Sequence, residues 1–198
     1  MKPQSIEELS FKIIDNEAED HGFDNFQWPI VRRMIHTTAD FEYINTVKFH
    51  KDAVNAGITA LNNNCSIITD TNMARAGIRV KAHCYIKDPQ VAEISEKNNL
   101  TRAEAAVDHA LDIMENGIYV IGNAPTALLR LIELVKAEKA RPALILGFPV
   151  GFVNAAESKQ ELCSLDCPFI SNTGRKGGSN VAASVVNALI ILARGGHN

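Results

Sequence analysis

Short apolar runs alternate with longer amphipathic segments along most of the chain. Four runs have the length and composition of buried strands, at residues 66–69, 118–121, 143–146 and 168–171. A loop and then a segment with helical spacing of apolar residues follow each run. Parallel strands need such crossovers and are covered on both faces, so their sequences are continuously apolar. The pattern therefore predicts an α/β fold with three layers, a mostly parallel sheet with helices on both faces.

The amino-terminal part of the chain is predicted to be helical. Ser5 and Glu8 have capping-box spacing, so we expect a first helix to begin there and to end near Gly22. Asp24 can cap a second helix, which delivers His36 at or just past its last turn. The position of this histidine at a helix end matters for its chemistry.

The middle of the chain contains three further segments with a regular pattern. Residues 54–61 have the apolar spacing of a third helix, and residues 80–86 form another apolar or alternating run. Thr101 and Glu104 form a second capping box, and Gly117 is the expected stop of the helix that follows.

Length and composition limit the class of protein. The 198 residues are 46% hydrophobic and 22% charged, as in a soluble globular protein, and we expect one domain over residues 1–198. A net charge of −3 argues against a general nucleic-acid binder. The sequence contains no apolar stretch that reads as a secretory signal or a membrane span, so we expect a cytoplasmic protein.

The four cysteines lack the spacing of a metal site. Cys65, Cys84, Cys163 and Cys167 form no Cys-x-x-Cys pair and have no His-x-x-x-His nearby. A structural zinc site would normally show such spacing, so we expect reduced structural thiols and no metal.

Open parallel sheets bind ligands at the carboxyl ends of their strands, and four loops of this chain qualify. They are residues 69–73, 122–126, 147–151 and 172–179. The last is the most informative, because its glycines let backbone donors approach a ligand and the next helix offers the positive end of its dipole. Arg175 and Lys176 add charge, so we expect this loop to bind an anion.

The glycine-rich loop taken alone leaves other readings open. It fits phosphate, carboxylate or a solvated turn. The chain lacks both the Gly-x-x-x-x-Gly-Lys-Ser/Thr order of a phosphate loop and the Gly-x-Gly-x-x-Gly order of dinucleotide-binding proteins. A nucleotide-binding enzyme of the doubly wound type is therefore a weak alternative.

His36 is the best candidate for a catalytic side chain. A helix carboxyl end stabilises imidazolium, and Asp40 could reinforce this effect, whereas Arg32 and Arg33 would oppose it. Among the acidic residues near strand ends, Asp70 could orient a ligand, although capping of a helix is the more ordinary role.

The loops read together resemble precorrin-8X methylmutases, also called precorrin isomerases, including the cobalt-precorrin-8 methylmutases. The resemblance extends from about Ser10 to Gly195, with several matches in one order. The matching stretches are residues 10–14 (SFKII), 31–36 (VRRMIH), 122–128 (GNAPTAL), 146–153 (LGFPVGFV), 155–159 (AAESK) and 174–179 (GRKGGS).

The resemblance implies an isomerase without a cofactor, in which a methyl group migrates between adjacent ring carbons of a contracted tetrapyrrole to give hydrogenobyrinate or cobyrinate. It places the key histidine at His36, the expected general acid, and a substrate-contacting serine at Ser10. It also implies a homodimer with the ligand near the subunit interface. The candidate substrate-binding residues are Ser10, Arg33, Asp70, Gly122, Asn123, Ala124, Thr126, Gly151, Arg175, Gly177, Gly178 and Ser179.

A second function remains open from the sequence. The same loops could serve a carrier or sensor without catalytic activity that binds a polyanionic tetrapyrrole. Such a protein would bind precorrin-8 without a spectral conversion. The sequence also leaves open whether the substrate contains cobalt.

Overall fold

The structure, a computed structural model, describes residues 3–18 and 20–196. In this part of the chain one sheet contains the strands β1 (Val47–Phe49), β2 (Ile67–Thr69), β3 (Ile118–Ile121), β4 (Leu144–Gly147) and β5 (Phe169–Asn172). Their order across the sheet is β1-β5-β4-β3-β2. The strands β2 to β5 pair in parallel, and β1 pairs antiparallel with β5. The predicted α/β fold with a mostly parallel sheet is confirmed.

Helices connect the strands and cover the sheet. They are α1 (Pro3–Ala18), α2 (Trp28–Thr38), α3 (Tyr43–Thr46), α4 (Ala53–Asn62), α5 (Asn72–Gly77), α6 (Pro89–Asn98), α7 (Arg102–His109), α8 (Leu111–Met114), α9 (Pro125–Lys136), α10 (Ala155–Leu162) and α11 (Ser179–Ala193). None of the described helices combines the length and the apolarity needed to cross a bilayer.

Alternate residues of the central strands belong to two separate hydrophobic cores, one on each face of the sheet. Ile118 and Val120 of β3 belong to one core, which includes α2, α4 and α11. Tyr119 and Ile121 of the same strand belong to the other, which includes α7, α9 and α10. Since side chains alternate across a strand, a strand covered on both faces must be apolar at every position. The three-layer prediction is confirmed for the same reason.

The predicted helix start at Thr101 is confirmed. The Thr101 side chain accepts a hydrogen bond from the Glu104 N–H, and the Glu104 carboxylate accepts one from the Thr101 N–H. Pro125 lies in the first turn of α9, where its missing N–H removes no helical hydrogen bond. Asp24 does not cap α2 as the sequence suggested: the N-cap residue is Gln27, and the Asp24 carboxylate accepts from the N–H groups of Phe26 and Gln27 in the turn before the helix.

Other predictions of local structure were wrong. The first helix already begins at Pro3 and ends at Ala18, so Ser5 lies inside it and Gly22 lies beyond it. The segment predicted to run from Thr101 to Gly117 as one helix is divided into α7 and α8. A capping motif indicates where a helix can begin, but neighbouring residues decide whether it extends further.

Both outer sides of the sheet, next to β2 and at β1, also differ from the prediction. Residues 80–86 form no strand and instead make a single parallel bridge from His83 to Ile68. The short strand β1 was missed, because three residues are too few to show an alternating pattern. This strand matters for the site, because it begins at the carboxyl ends of the parallel strands. Val47 lies opposite Asn172, the last residue of β5.

Candidate active site

His36 lies in the last turn of α2, as the sequence predicts, and is half-buried. Its Nδ1 lies 2.7 Å from the Ser10 Oγ on α1, and its ring makes an edge contact with Phe11 at a centroid distance of 5.2 Å. A hydroxyl can donate to a neutral imidazole nitrogen and accept from an imidazolium N–H. Ser10 therefore keeps its contact with His36 in both protonation states, and Nε2 is the nitrogen left for a substrate.

Two arginines hold the helices that carry this pair. Arg33 forms an ion pair with Glu7 on α1, with its Nη2 2.5 Å from Oε1, and Arg32 forms one with Asp15 at 2.8 Å. Both guanidinium groups lie against the Phe11 ring, at 4.5 Å for Arg32 and 5.2 Å for Arg33. These contacts clamp α1 onto α2 and so fix Ser10 beside the imidazole.

Arg33, a predicted substrate contact, is mainly buried in this clamp. It is 6% exposed, and its Nε has no hydrogen-bond partner among the described residues. Burial raises the pKa of Glu7, but the hydrogen bond and the positive charge of Arg33 outweigh burial and lower it. The direct role that the structure gives Arg33 is therefore to join two helices.

Asp40 does not reinforce His36 as the sequence suggested. Its carboxylate accepts hydrogen bonds from the Lys176 Nζ at 2.5 Å and from the Glu42 N–H at 3.0 Å. The hydrogen bond from Lys176 lowers the pKa of Asp40. Lys176 contacts Glu42 as well, at 2.6 Å, so this lysine is engaged by carboxylates of the protein itself. The expectation that Lys176 adds free charge for an anion is corrected accordingly.

These ion pairs connect the glycine-rich loop to the segment that follows His36. That segment continues through α3 into β1, and the Thr173 N–H donates to the Thr46 carbonyl at 2.8 Å. The carboxyl end of α2 is therefore at the same edge of the sheet as the ends of β2 to β5. The predicted histidine and the predicted loops are on one side of the molecule.

Asp70 organises the loop that follows β3. The residue is 2% exposed, and its carboxylate accepts from the N–H groups of Gly122 at 2.9 Å, Asn123 at 2.8 Å and Ala124 at 2.8 Å. Burial raises its pKa, while the three backbone donors act in the opposite direction. These N–H groups point at a side chain of the protein, so a ligand at this loop would have to contact other atoms.

The loop after β2 and the start of α11 meet the same region. The Thr71 Oγ1 caps α5 through the Ala74 N–H and lies 2.8 Å from the Ser179 Oγ. A Cβ atom on Gly122 would lie 2.7 Å from the Ser179 Cα. Gly122 is thus required by close packing of two backbones, and Ser179 joins two of the predicted loops.

The remaining two loops are also interlocked. The Gly178 N–H donates to the Phe148 carbonyl at 2.9 Å, and the Gly151 N–H donates to the Arg175 carbonyl at 3.3 Å. A Cβ on Gly177 would lie 2.7 Å from the Pro149 carbonyl oxygen. The ends of β4 and β5 are therefore held together by backbone contacts, which only glycine permits at position 177.

The surface over these loops is both apolar and cationic. Arg175 and Asn123 are exposed, and Thr126 is half-buried near Thr101, with 3.3 Å between their hydroxyl oxygens. The Arg175 guanidinium lies 5.4 Å from the centre of the Phe152 ring. Large apolar side chains are exposed here to an unusual degree: Phe152 at 83%, Val153 at 76%, Met73 at 73% and Val150 at 42%. This composition suits a large, partly apolar and acidic ligand or a second protein surface.

Two open cavities lie at the opposite edge of the sheet. They have volumes of about 570 Å³ and about 780 Å³, and both are lined by Cys65 and Ser66, just before β2. They are separate from the strand-end loops and from His36. The candidate site lies at the carboxyl ends of the strands, because chemistry depends on converging side chains more than on cavity size.

Nothing in the described residues suggests a metal site. They contain no group of three histidine, cysteine or acidic side chains with suitable geometry. The four cysteines are free thiols, and burial raises the pKa of Cys167 to about 11.

One buried lysine was missed as a site residue. Lys159 is 1% exposed, and its Nζ donates to the Lys176 carbonyl and to Asn172. A signal was available in the sequence, because Ala155, Lys159 and Leu162 have the spacing of one helix face. A lysine on an otherwise apolar helix face has a charged group that must find a buried partner.

Comparisons with known proteins agree on one family. The family model described as precorrin-8X methylmutase matches residues 5–192. A cobalt-precorrin-8 methylmutase of Priestia megaterium is 46% identical, over 99% of this chain and 91% of that protein. One of Leptospira interrogans is 42% identical, over 96% and 94%. A crystal structure of a precorrin-8X methylmutase from Thermus thermophilus has a TM-score of 0.90, with 43% identity and 98% of each chain covered.

Proposed function

The chain belongs to the precorrin-8X methylmutase family and is a methylmutase, and from this premise we propose that it acts on precorrin-8X or cobalt-precorrin-8 with His36 as the general acid. The products would be hydrogenobyrinate and cobyrinate, respectively. The observation that carries the proposal is the contact between Ser10 and the Nδ1 of His36, which leaves Nε2 for the substrate.

The proposed reaction needs a proton that His36 transfers to the substrate and later takes back. The His36 imidazolium donates the proton on Nε2 to the conjugated ring, which makes one tautomer reactive. The bond from the methyl carbon to one ring carbon then breaks as the bond to the neighbouring carbon forms. The proton returns to Nε2, so the product is an isomer of the substrate and no electron is gained or lost. Nδ1 keeps its proton throughout this cycle, so the Ser10 hydroxyl accepts from the Nδ1–H and holds the ring in place while Nε2 exchanges its proton.

Binding of the substrate carboxylates is assigned to the start of α11 and to Arg175. The N–H groups of Asn123 and Ala124, just before α9, donate to Asp70, whereas α11 begins at Ser179 without a side-chain cap. Unsatisfied N–H groups at a helix start and an exposed guanidinium are both good donors to carboxylates. Of the twelve predicted substrate contacts, Arg175 and Ser179 at the start of α11 are thus better placed than the Gly122, Asn123 and Ala124 amides, which donate to Asp70, or the Gly178 amide, which donates to the Phe148 carbonyl.

A spectral assay tests the proposed reaction. Purified protein should convert metal-free precorrin-8X, cobalt-precorrin-8 or both, with a change in the visible spectrum, and the two arms identify the natural substrate. Binding of either compound without conversion would instead support a carrier or sensor. No binding of either compound would contradict the proposed substrate class.

His36→Gln is the direct test of the general acid. We expect kcat to fall by roughly 10²- to 10³-fold while the protein still binds the corrinoid, because proton transfer by a positioned side chain contributes about 10²–10⁴-fold. The matched control is His50→Gln, since His50 follows β1 at the opposite edge of the sheet and should leave turnover unchanged. Unchanged turnover in His36→Gln would remove His36 from the mechanism.

We also propose a homodimer with the substrate near the subunit interface, acting in the cytoplasm. The support is the apolar surface that the protomer leaves exposed, on the loop with Phe152 and Val153 and on α1 at Ile6, Leu9 and Ile13. A second copy of the chain that covers part of this surface would also enclose a ligand beside Arg175.

A further inference from the structure

The buried lysine on α10 makes an unusual set of contacts. The Lys159 Nζ donates to the Lys176 carbonyl oxygen at 2.6 Å and to the Asn172 Oδ1 at 3.3 Å. Both acceptors are uncharged, and the described residues offer this ammonium group no carboxylate partner. Burying a charge without an opposite charge costs free energy, so a lysine here calls for a reason other than stability.

The two acceptors of Lys159 belong to one loop. Asn172 is the last residue of β5 and is 1% exposed, and its Nδ2 donates to the carbonyl oxygens of Thr173 at 3.0 Å and Lys176 at 2.9 Å. The Lys176 carbonyl therefore accepts from both Lys159 and Asn172. The buried side chains of Lys159 and Asn172 therefore hold the backbone of residues 173–176 in a closed turn.

The same loop reaches the helix that carries the predicted acid. The Lys176 Nζ contacts Asp40 at 2.5 Å and Glu42 at 2.6 Å, a few residues beyond His36. Lys159 thus holds the carbonyl of Lys176, while the Lys176 side chain extends to the segment after α2. One residue of the loop links α10 and β5 to the carboxyl end of α2.

We propose that Lys159 is a positioning residue that fixes residues 173–178 of the glycine-rich loop against the end of α2. It thereby sets the distance between this loop and His36. The role in the reaction rests on the proposed function, whereas the role in holding the loop does not. Lys159 itself touches no reacting atom, since its Nζ is used within the protein.

The charge of Lys159 supports this role. Burial lowers its pKa to about 8. Few charged or titratable groups bear on it: the Cys163 thiol just after α10, and the Lys48 ammonium on β1, which acts on Cys163. The Lys136 and Glu161 pair between α9 and α10 is exposed and joined at 2.7 Å. Near neutral pH the ammonium is the main form, and it is the stronger donor to the Lys176 carbonyl.

Limited proteolysis tests the positioning of the loop without any corrinoid. Trypsin cleaves after Arg175 and Lys176, both of which lie in the loop. In Lys159→Met we expect cleavage at these two bonds to become roughly tenfold faster or more, because an unrestrained loop opens locally more often. The control is Lys139→Met, an exposed lysine whose side chain makes no hydrogen bond or ion pair with the described part of the chain. Cleavage at the wild-type rate in Lys159→Met would overturn the proposal.

Kinetics test the link to His36. We expect Lys159→Met to lower kcat for the corrinoid and to raise KM, because both the acid and the carboxylate contacts are displaced. If Lys176 is the link, the double variant Lys159→Met, Lys176→Met should lose less kcat than the product of the two single losses predicts. Strictly multiplicative losses would overturn the link.

A second variant covers the case in which Lys159→Met does not fold. Lys159→Gln retains a neutral donor, and its fold is checked by thermal unfolding. It should show intermediate cleavage at Arg175, and wild-type cleavage would again overturn the proposal. Faster loop cleavage together with unchanged turnover in His36→Gln would instead count against the proposed acid while the loop assignment stands.

Discussion

At the scale of single residues, the contact between Ser10 and His36 shows how the proposed acid can be held in place while one ring nitrogen stays available. The hydroxyl contacts the imidazole at Nδ1, and in the proposed reaction the proton is exchanged with the substrate at Nε2. The sequence placed Ser10 only as a substrate contact by resemblance. The structure adds that its hydroxyl is 2.7 Å from His36, a contact between residues 26 positions apart.

Removal of this hydroxyl should weaken catalysis without abolishing it. In Ser10→Ala we expect kcat to fall roughly 3- to 10-fold, the kinetic equivalent of one hydrogen bond of about 0.5–1.5 kcal/mol. Ser5→Ala, at an exposed position of the same helix, is the control. A loss as large as that of His36→Gln would mean that Ser10 itself takes part in proton transfer.

Lys159 should give the protein a characteristic dependence of stability on pH. Its pKa is about 8 in the folded protein and near 10.5 in the unfolded chain, so between these values the unfolded chain binds a proton that the folded protein lacks. The free energy of unfolding therefore rises with pH across this window, by at most about 3 kcal/mol from this residue.

Urea unfolding of wild type and Lys159→Met measures this contribution. The difference, wild type minus variant, should increase from pH 7.5 to pH 10, because the other titrating groups are common to both proteins. A difference that is constant over the window would contradict the lowered pKa of Lys159.

At the scale of elements, strand-end loops are held mainly by other parts of the protein. Asp70 just after β2 accepts from three N–H groups of the loop between β3 and α9, and Gly122 lies against the first residue of α11. The sequence indicated which loops lie at the carboxyl edge. It could not indicate that Asp70 binds backbone donors of its neighbour, since the two segments are 52 to 54 residues apart.

Asp70→Asn should destabilise this junction. Both carboxylate oxygens accept hydrogen bonds, whereas an amide offers one oxygen and must direct its NH₂ group at a backbone N–H. We expect the free energy of unfolding to fall by about 2–4 kcal/mol, measured by urea unfolding near neutral pH. Asp112→Asn on α8, at an exposed position, should change it by less than about 0.5 kcal/mol. Equal stability of the two variants would contradict the buried role of Asp70.

At the scale of the whole molecule, the sheet brings His36 and the glycine-rich loop to one edge. The path runs from α2 through α3 into β1, which pairs antiparallel with β5. This route depends on the one strand that the sequence pattern did not predict. The predicted acid and the predicted loop are therefore on one edge through a pairing that single-sequence periodicity could not detect.

The exposed apolar surface leads to a prediction about assembly. The protein should have a mass in solution of about 43 kDa, twice 21.6 kDa, measured by light scattering after gel filtration. Leu9→Glu and Phe152→Glu should each shift the mass towards the monomer if their surfaces are in the interface, because a buried unpaired charge is costly. Lys12→Glu, exposed on α1, is the control for a charge change. A wild-type mass of about 21.6 kDa would contradict the dimer.

By itself, the sequence determined the class of fold, the position of His36 in the last turn of its helix, the loops at the strand ends and the resemblance to a family. These properties follow from local spacing, because each helix or strand buries a face that repeats within a few residues. Only the tertiary structure decided the partners: Asp70 with the amides of the loop after β3, Lys159 with the Lys176 carbonyl, and Lys176 with Asp40, 136 positions away. Such contacts depend on how the layers pack, and spacing along the chain carries no record of packing between distant segments.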